Sequence, residues 1–365
     1  MKDYKEINKN INTIQDLEAL YYGGNIDVSK ADAPLLTTTA GAANDVYGAE
    51  VWNQLNETAK TWQILPKKPY QKAGFRVKTA RGVTLGSGGI SENGTIPATV
   101  LPTYAELALD LKHVVHAYNS SILKDLRARA GNDDLTIDQL RRDMGEEHVA
   151  AINQMFHVDV STLASNNFES IDRVCSSQSE ESALADAGDA DIYGADRSAS
   201  TAYDAYVDHN SGTDRVLTKD LLRTAVRSIE ENSGKRPNVI ITGYDTASDI
   251  DALFESQGRM TIERVSVGVN GIQTNAGNDS MIEVSKVMGI PMIIDKDVAS
   301  DTISRIYFVN TEYLWFEVAA PTVNIETNTN DVVLLNELQT KGIFMTAGEL
   351  KCVNFAAQGK IRDLK

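Results

Sequence analysis

The longest run compatible with a single helix lies at residues 133–165, and it constrains the fold more than any other stretch of the chain. It contains no proline and one glycine, Gly145. Apolar residues recur at helical spacing along two stripes, one beginning at Ile137 and the other at Val149. At about 1.5 Å per residue, such a helix would be on the order of 50 Å long. We therefore predict a spine helix that lies across other parts of the same chain or of neighbouring chains.

Composition excludes several classes of protein. Of 365 residues, 42% are hydrophobic and 24% charged, which is typical of a folded chain. No stretch of 18 apolar residues occurs, and the first twenty residues lack an apolar core, so neither a membrane span nor a signal peptide is predicted. The net charge of −16 argues against a nucleic-acid-binding protein. Two unpaired buried thiols are expected at Cys175 and Cys352, with a disulfide between them as the alternative.

Charge is unevenly distributed along the chain. Residues 66–118 contain seven Lys and Arg against three Asp and Glu, a net charge of +4, whereas every other segment is acidic or neutral. Residues 176–213 are the most acidic, with eight acids and one arginine. This asymmetry indicates a partner surface, and the expected acidic partner is another copy of the chain.

The basic segment has the pattern of a long hairpin. Residues 74–85 alternate between apolar and polar side chains, turn signals follow at residues 86–94, and a second extended run returns at residues 99–117. Few apolar residues are available for a local core, so this hairpin is expected to lie on another surface. His113 and His116 are not expected to bind a metal, because residues i and i+3 of a strand face opposite ways.

The remaining segments predict a mixed fold. A short helix is expected at residues 119–130, and residues 176–213 are interpreted as a solvated insertion or long loop. Residues 214–320 have the order of a small α/β lobe, with helices at 217–233 and 246–256 and strands at 236–242, 286–295 and 305–310. After Pro321 the pattern is that of a β-meander.

Four segments, in their order along the chain, resemble the major capsid protein of tailed phages, of the Hong Kong 97 type. The residues that carry the resemblance are the short helix around Ile122–Leu126, the helix–strand–helix segment Leu217–Gly258, the strand Val287–Asp295 and the strand Ile306–Leu314. Each motif is degenerate, but their order and spacing are specific. The resemblance covers roughly residues 45–365.

The resemblance implies an α+β fold with named parts. These are an N-terminal arm at 1–65, an E-loop hairpin at 66–118, a P domain at 119–213 with the spine helix 133–165 and the acidic insertion 176–213, an A domain at 214–320, and a return of the P domain as a β-meander at 321–365. In some members an E-loop lysine forms a crosslink to an asparagine of the next subunit. Neither Lys72 nor Lys78 aligns with that lysine, so no crosslink is inferred here.

The implied function is structural: hexamers and pentamers of the chain form an icosahedral shell around the double-stranded DNA of a tailed virus. The partners expected are other copies of the chain, with portal, scaffold and decoration proteins, and neither a membrane nor a cofactor nor a metal is expected. The expected location is the virion. An enzyme is disfavoured because the sequence contains no nucleophile elbow and no dinucleotide-binding turn. The alternative function is the shell of an encapsulin-type compartment. The residues predicted to make contacts between subunits are Arg76, Lys78, Arg81, Trp52 and Trp62.

Overall fold

The computed structural model describes residues 59–80, 90–96, 102–131, 137–159, 162–184, 191–255, 262–263, 284–300, 304–326 and 339–365. The chain divides into two compact units. One comprises Met1–Leu55, Ala117–Met144 and Ile325–Ile343, and the other Asn56–His116, Gly145–Asn324 and Phe344–Lys365. Most of the arm predicted at 1–65 therefore lies outside the described residues.

Two sheets are formed near the predicted hairpin. Strands β2 (Gly74–Ala80) and β3 (Thr103–Ala108) pair in antiparallel orientation as a two-stranded sheet. A four-stranded sheet has the order β1-β13-β14-β4, where β1 is Lys67–Pro69, β4 is Lys112–Ser121, β13 is Leu314–Glu326 and β14 is Gln339–Cys352. The run predicted at 99–117 is thus two strands. They separate at Leu109, whose side chain is buried and whose N–H donates to Ala73 O at 2.8 Å.

The long helix is shorter than predicted. Helix α1 is Lys60–Ile64, α2 is Ile122–Gly131, and the spine helix is α3, Ile137–His157, of 21 residues. The prediction that it continues to Ser165 is wrong. Val158, Asp159 and Val160 are poor helix formers, and the carboxylate of Asp159 pairs with Arg305.

A seven-stranded sheet forms the centre of the larger unit, in the order β7-β15-β12-β8-β11-β10-β9. Its strands are β7 Tyr206–Asp208, β8 Val239–Thr242, β9 Ile262–Glu263, β10 Val284–Val287, β11 Ile290–Ile294, β12 Ser304–Val309 and β15 Gly359–Leu364. The sheet therefore includes strands from outside the predicted lobe at 214–320. In particular, β15 lies between β12 and β7 instead of joining the meander.

Two helices follow the sequence prediction closely. Helix α6 is Lys219–Ser233 and α7 is Tyr244–Glu255. Thr218 caps α6 through its hydroxyl, which accepts the N–H of Leu221 at 3.3 Å. Gly234 ends α6 in the left-handed conformation with φ 71°.

The strand predicted at 286–295 is a hairpin. Strands β10 and β11 pair in antiparallel orientation, with Val287 opposite Ile290. Met288 and Gly289 between them have φ of 52° and 81°. Two successive positive φ angles are the geometry of a tight two-residue hairpin turn, which the apolar pattern alone concealed.

The acidic segment 176–213 is not a solvated loop, so that interpretation is wrong. It contains α5 (Gln178–Leu184), the paired strands β5 (Asp191–Ile192) and β6 (Ala195–Asp196), and β7, and it follows the short helix α4 (Ile171–Val174). Glu180, Ile192, Arg197 and Tyr203 are all buried. The excess of acidic residues suggested a solvated segment, but the cations that pair with the buried Glu180 are Lys360 and Arg362, which lie far away in the sequence.

Both faces of the central strands of the seven-stranded sheet, β8 and β12, are buried. Alternate strand residues contribute to two apolar clusters: Ile241, Ile293 and Tyr307 to one, and Ile240, Met292 and Phe308 to the other. Cys175 and Cys352 are both buried and unbonded, as predicted. Among the described helices, none is long and apolar enough to cross a membrane.

Candidate functional site

The solvent-facing side of the β2–β3 hairpin carries a row of exposed cations. Lys72, Arg76 and Lys78 are exposed. Arg76 lies opposite Glu106 in the strand register, and its Nη2 is 2.6 Å from Glu106 Oε1. Both side chains of this pair are about three-quarters exposed, at 74% and 73%. Such a surface pair contributes about 0–1 kcal/mol to the free energy of unfolding, so the hairpin does not depend on either charge for its stability.

The opposite side of the hairpin packs on the chain itself. Leu107 is buried, and Phe75, Val77 and Ala105 pack against the first apolar cluster. Phe75 meets Tyr193 edge to face at 5.5 Å. The prediction that the hairpin lacks a local core is therefore wrong for its base. The support comes from residues 191–196, which the sequence analysis had interpreted as solvated.

A cleft of about 890 Å³ opens beside the base of the hairpin. Its lining includes Lys72, Phe75, Arg76, Glu106, Leu107 and Lys351. Lys351 Nζ is 2.8 Å from Glu317 Oε1 and 4.9 Å from the centre of the Phe75 ring. Cations outnumber acids in this lining, which also includes the apolar side chains of Phe75 and Leu107. The arrangement suits an extended, acidic polypeptide segment rather than acid–base chemistry.

The predicted contact residues have different environments. Arg76 and Lys78 are exposed on the hairpin. Trp62 is partly buried: its ring is stacked with Phe156 at 5.9 Å and meets Phe316 edge to face at 5.1 Å, while Lys67 Nζ lies 4.3 Å from its centre. The Trp62 ring therefore packs mainly within its own chain, where it holds α1 against the apolar core. Trp52 and Arg81 lie outside the described residues.

A cluster of buried charges, which the sequence analysis missed, joins the seven-stranded sheet to α4 and α5. Lys360 is fully buried, with its Nζ 3.1 Å from Asp172 Oδ1 and 2.8 Å from Glu180 Oε1. Arg305 Nη1 is 2.6 Å from Asp172 Oδ1, and Arg362 pairs with Glu180. Burial alone would raise the pKa of Asp172, but Arg305 and Lys360 hold that pKa well below its ordinary value. Asp172 is therefore ionised at neutral pH, and we assign the cluster a structural role.

A second buried network fixes α1 and the end of α3. The Oγ1 and backbone N–H of Thr61 both donate to Asp295 Oδ2, at 2.7 and 2.9 Å. Because that hydroxyl donates to Asp295, it accepts from His157 Nε2, which is 2.8 Å away. Asn153 Nδ2 donates to Asp295 Oδ1 at 3.0 Å. Burial raises the pKa of Asp295, but these donors outweigh it, so the pKa lies below its ordinary value.

In the smaller unit, the carboxylate of Glu326 forms hydrogen bonds with two side chains. Glu326 accepts hydrogen bonds from Tyr118 and from Arg141, whose Nη2 is 2.6 Å from Glu326 Oε2. Asp125 accepts the N–H of Ile137, the first residue of α3, at 3.1 Å. In the described part of the chain, no three metal-binding side chains come together.

The fold defined by these elements is that of capsid shell subunits. The chain is similar to the capsid of cyanophage A-1(L), with a TM-score of 0.60 and 13% identity over 87% of this chain and 96% of that one. It is also similar to the capsid of an empty GTA particle, with a TM-score of 0.55 and 12% identity over 90% and 100% of the two chains. The SrpI encapsulin of Synechococcus elongatus PCC 7942 matches with a TM-score of 0.52 and 10% identity, over 90% and 95%. These likenesses confirm the predicted Hong Kong 97-like fold.

The chain belongs to the SU10 major capsid protein family, whose model matches residues 131–365. None of the curated protein sequences compared with the chain matches it. The family assignment confirms a structural, non-enzymatic role and a place in the capsid of the virion. It also confirms that copies of the chain assemble with one another.

Proposed function

We propose that the chain assembles as hexamers and pentamers into a closed icosahedral shell that encloses the double-stranded DNA of a tailed virus. The family match over residues 131–365 is the observation that carries this proposal. A closed shell repeats each contact under symmetry, so individually weak contacts suffice. In this proposal the seven-stranded sheet belongs to the A domain, α3 and the four-stranded sheet to the P domain, and β2–β3 to the E-loop.

The hairpin and its cleft form the proposed contact between subunits. The exposed cations Lys72, Arg76 and Lys78 and the cleft beside them would receive an acidic segment of a second copy. The charge distribution supports this, because the hairpin segment is basic in a chain of net charge −16. Trp52, Trp62 and Arg81 are further proposed contact residues between subunits. Portal, scaffold and decoration proteins are proposed further partners.

Electron microscopy of the purified chain tests the proposal directly. Expression of the full chain, alone and with the neighbouring structural proteins of its virus, should give closed particles built of fivefold and sixfold clusters. Purification of only monomers under every condition, together with failure to co-assemble, would contradict the proposal.

A charge swap across the hairpin tests the proposed contact. Arg76→Glu places two acids opposite each other within the chain, whereas Arg76→Glu combined with Glu106→Arg restores the pair in the opposite sense. If Arg76 contacts a second copy, both variants should reduce the yield of particles in low salt. The double variant should nevertheless unfold at the wild-type urea concentration. Full recovery of assembly in the double variant would show that Arg76 acts only within its own chain.

The alternative is an encapsulin-type compartment, favoured by the likeness to the SrpI encapsulin. The two functions differ in the contents of the particle. Particles of a viral capsid made during infection should contain nuclease-protected DNA, whereas a compartment should contain protein cargo instead.

A further inference from the structure

Two histidines meet where the long helix packs against the four-stranded sheet. His148 lies on α3 with its side chain fully buried, and His116 lies on β4, partly buried. Their Nδ1 atoms are 2.7 Å apart. The two rings are 4.9 Å apart between centres and nearly perpendicular, at 79°. The contact therefore has the geometry of a hydrogen bond between two imidazoles.

This contact accommodates only one proton. A hydrogen bond needs a donor and an acceptor, so one Nδ1 carries a proton and the other does not. On its other side, His148 Nε2 is 2.8 Å from Thr346 Oγ1 on β14, which is 2.8 Å from Thr322 Oγ1 on β13. We assign Nδ1 of His116 as the donor of this contact and Nδ1 of the fully buried His148 as its acceptor. A second proton, on Nδ1 of His148, would place two N–H groups against each other.

The described neighbours of the His148 ring are an imidazole, hydroxyl groups and a phenyl ring. The groups packed on the buried ring are His116 from β4, Thr346 and the Phe344 ring from β14, and Thr322 beyond them. Within the described residues, no carboxylate hydrogen-bonds to His148. Burial, followed by the charge of His116, lowers the pKa of His148 to about 4.

We propose that the His116–His148 pair is an acid-sensitive latch that fastens α3 to β4 and β14. When His148 takes up a proton, the bond between the two Nδ1 atoms breaks and the helix loosens from the sheet. The latch lies within one chain, so it does not depend on the proposed shell.

The direction of the pH effect follows from proton binding. The pKa of His148 is lower in the folded chain than in the unfolded chain, so the unfolded chain takes up its proton first as the pH falls. The stability that the latch contributes is therefore complete above pH 6.5 and is lost as the pH falls towards 4. The folding equilibrium constant should fall by roughly twentyfold between pH 7 and pH 5 from this group alone.

Another buried group acts in the opposite direction, so the wild type alone is not diagnostic. Burial raises the pKa of Glu349 to about 7, although Lys112 beside it lowers that pKa. Because this carboxyl has a higher pKa in the folded chain than in the unfolded chain, it makes the folded chain less stable as the pH rises. The test must therefore compare variants that differ only in the latch.

Urea unfolding of the full chain between pH 4.5 and pH 8 makes that comparison. His148→Gln keeps a polar side chain that does not titrate. From pH 7 to pH 5 its folding equilibrium constant should therefore fall by roughly twentyfold less than that of the wild type. The matched control is His113→Gln, because His113 lies on β4, the strand that also carries His116, and its side chain is exposed. It should keep the wild-type pH dependence, and parallel curves for wild type and His148→Gln would overturn the latch.

A direct measurement on the wild type covers the case in which His148→Gln does not fold. Carbon-13 labelling of the five histidines lets NMR follow each ring as the pH falls. One ring should remain neutral below pH 5 and should titrate together with a change in the signals of α3. Titration of every histidine near 6.5 would overturn the proposal.

Discussion

At the scale of single residues, the interior of the larger unit depends on charge pairs between residues remote in sequence. Lys360 and Asp172 are 188 positions apart, and Lys360 and Glu180 meet in the same cluster. Removal of one partner from a buried ion pair leaves an uncompensated charge, which is far more costly than loss of an exposed pair. Cations on β15 thereby hold the acidic helix α5 in place, and Arg305 on β12 pairs with Asp172 on α4.

Replacement of Lys360 by Met should test this cluster. Lys360→Met leaves Asp172 and Glu180 buried with one arginine each, and we expect the free energy of unfolding to fall by about 3 kcal/mol. Urea unfolding at pH 7 measures the change. The control is Lys235→Met, which removes a half-exposed pair with Glu312 at 3.6 Å and should cost less than about 1 kcal/mol. Equal losses of stability in both variants would show that the buried cluster contributes no more to stability than the exposed pair.

At the scale of elements, two glycines show how closely strands and helices approach. A Cβ added at Gly348 on β14 would lie 2.4 Å from Glu317 O and 2.5 Å from the Phe316 ring. A Cβ added at Gly145 on α3 would meet only the Phe344 ring, at 3.5 Å. The first contact is impossible without movement of β13, whereas the second is an ordinary van der Waals distance.

The two glycines should therefore respond oppositely to alanine. Gly145→Ala should raise the free energy of unfolding by about 0.5–1 kcal/mol, because alanine is the better helix former. Gly348→Ala should lower it by about 1–3 kcal/mol, because the new methyl group forces β13 and β14 apart. Thermal unfolding of both variants measures the difference. A stabilising Gly348→Ala would show that β13 moves freely.

Local patterns in the sequence predicted the elements that depend on local chemistry. Thr218 and Gly234 mark the ends of α6 because capping uses neighbouring backbone groups. The end of α3 was missed because apolar spacing continued past His157, although Val158 and Asp159 disfavour the helix. The turn at Met288 was missed because its apolar neighbours look like one continuous strand.

Features set by distant partners were beyond local patterns. The buried position of Glu180 depends on Lys360 and Arg362, and the pairing of β15 depends on β7 and β12. The contact between His116 and His148 joins a strand and a helix that are 32 positions apart. An acid count or a strand pattern contains no information about such partners.

At the scale of the whole molecule, the proposed shell assigns a role to the N-terminal arm. Residues 1–40 lie outside the described residues, and their sequence contains neither Trp nor Phe. Deletion of residues 1–40 should leave a soluble subunit that unfolds at the wild-type urea concentration, because the described core is untouched. It should nevertheless give fewer closed particles, counted by electron microscopy. Normal particle numbers after the deletion would show that the arm is dispensable for assembly.

The position of β15 has a consequence for synthesis of the chain. Of the strands in the seven-stranded sheet, β15 comes last in the sequence, yet it lies between β7 and β12. On the ribosome, β7 and β12 emerge before the strand that separates them, and Lys360 reaches Asp172 and Glu180 only after translation of β15. We expect the nascent subunit to stay incompletely folded until β15 has been translated, which delays its association with other copies until then.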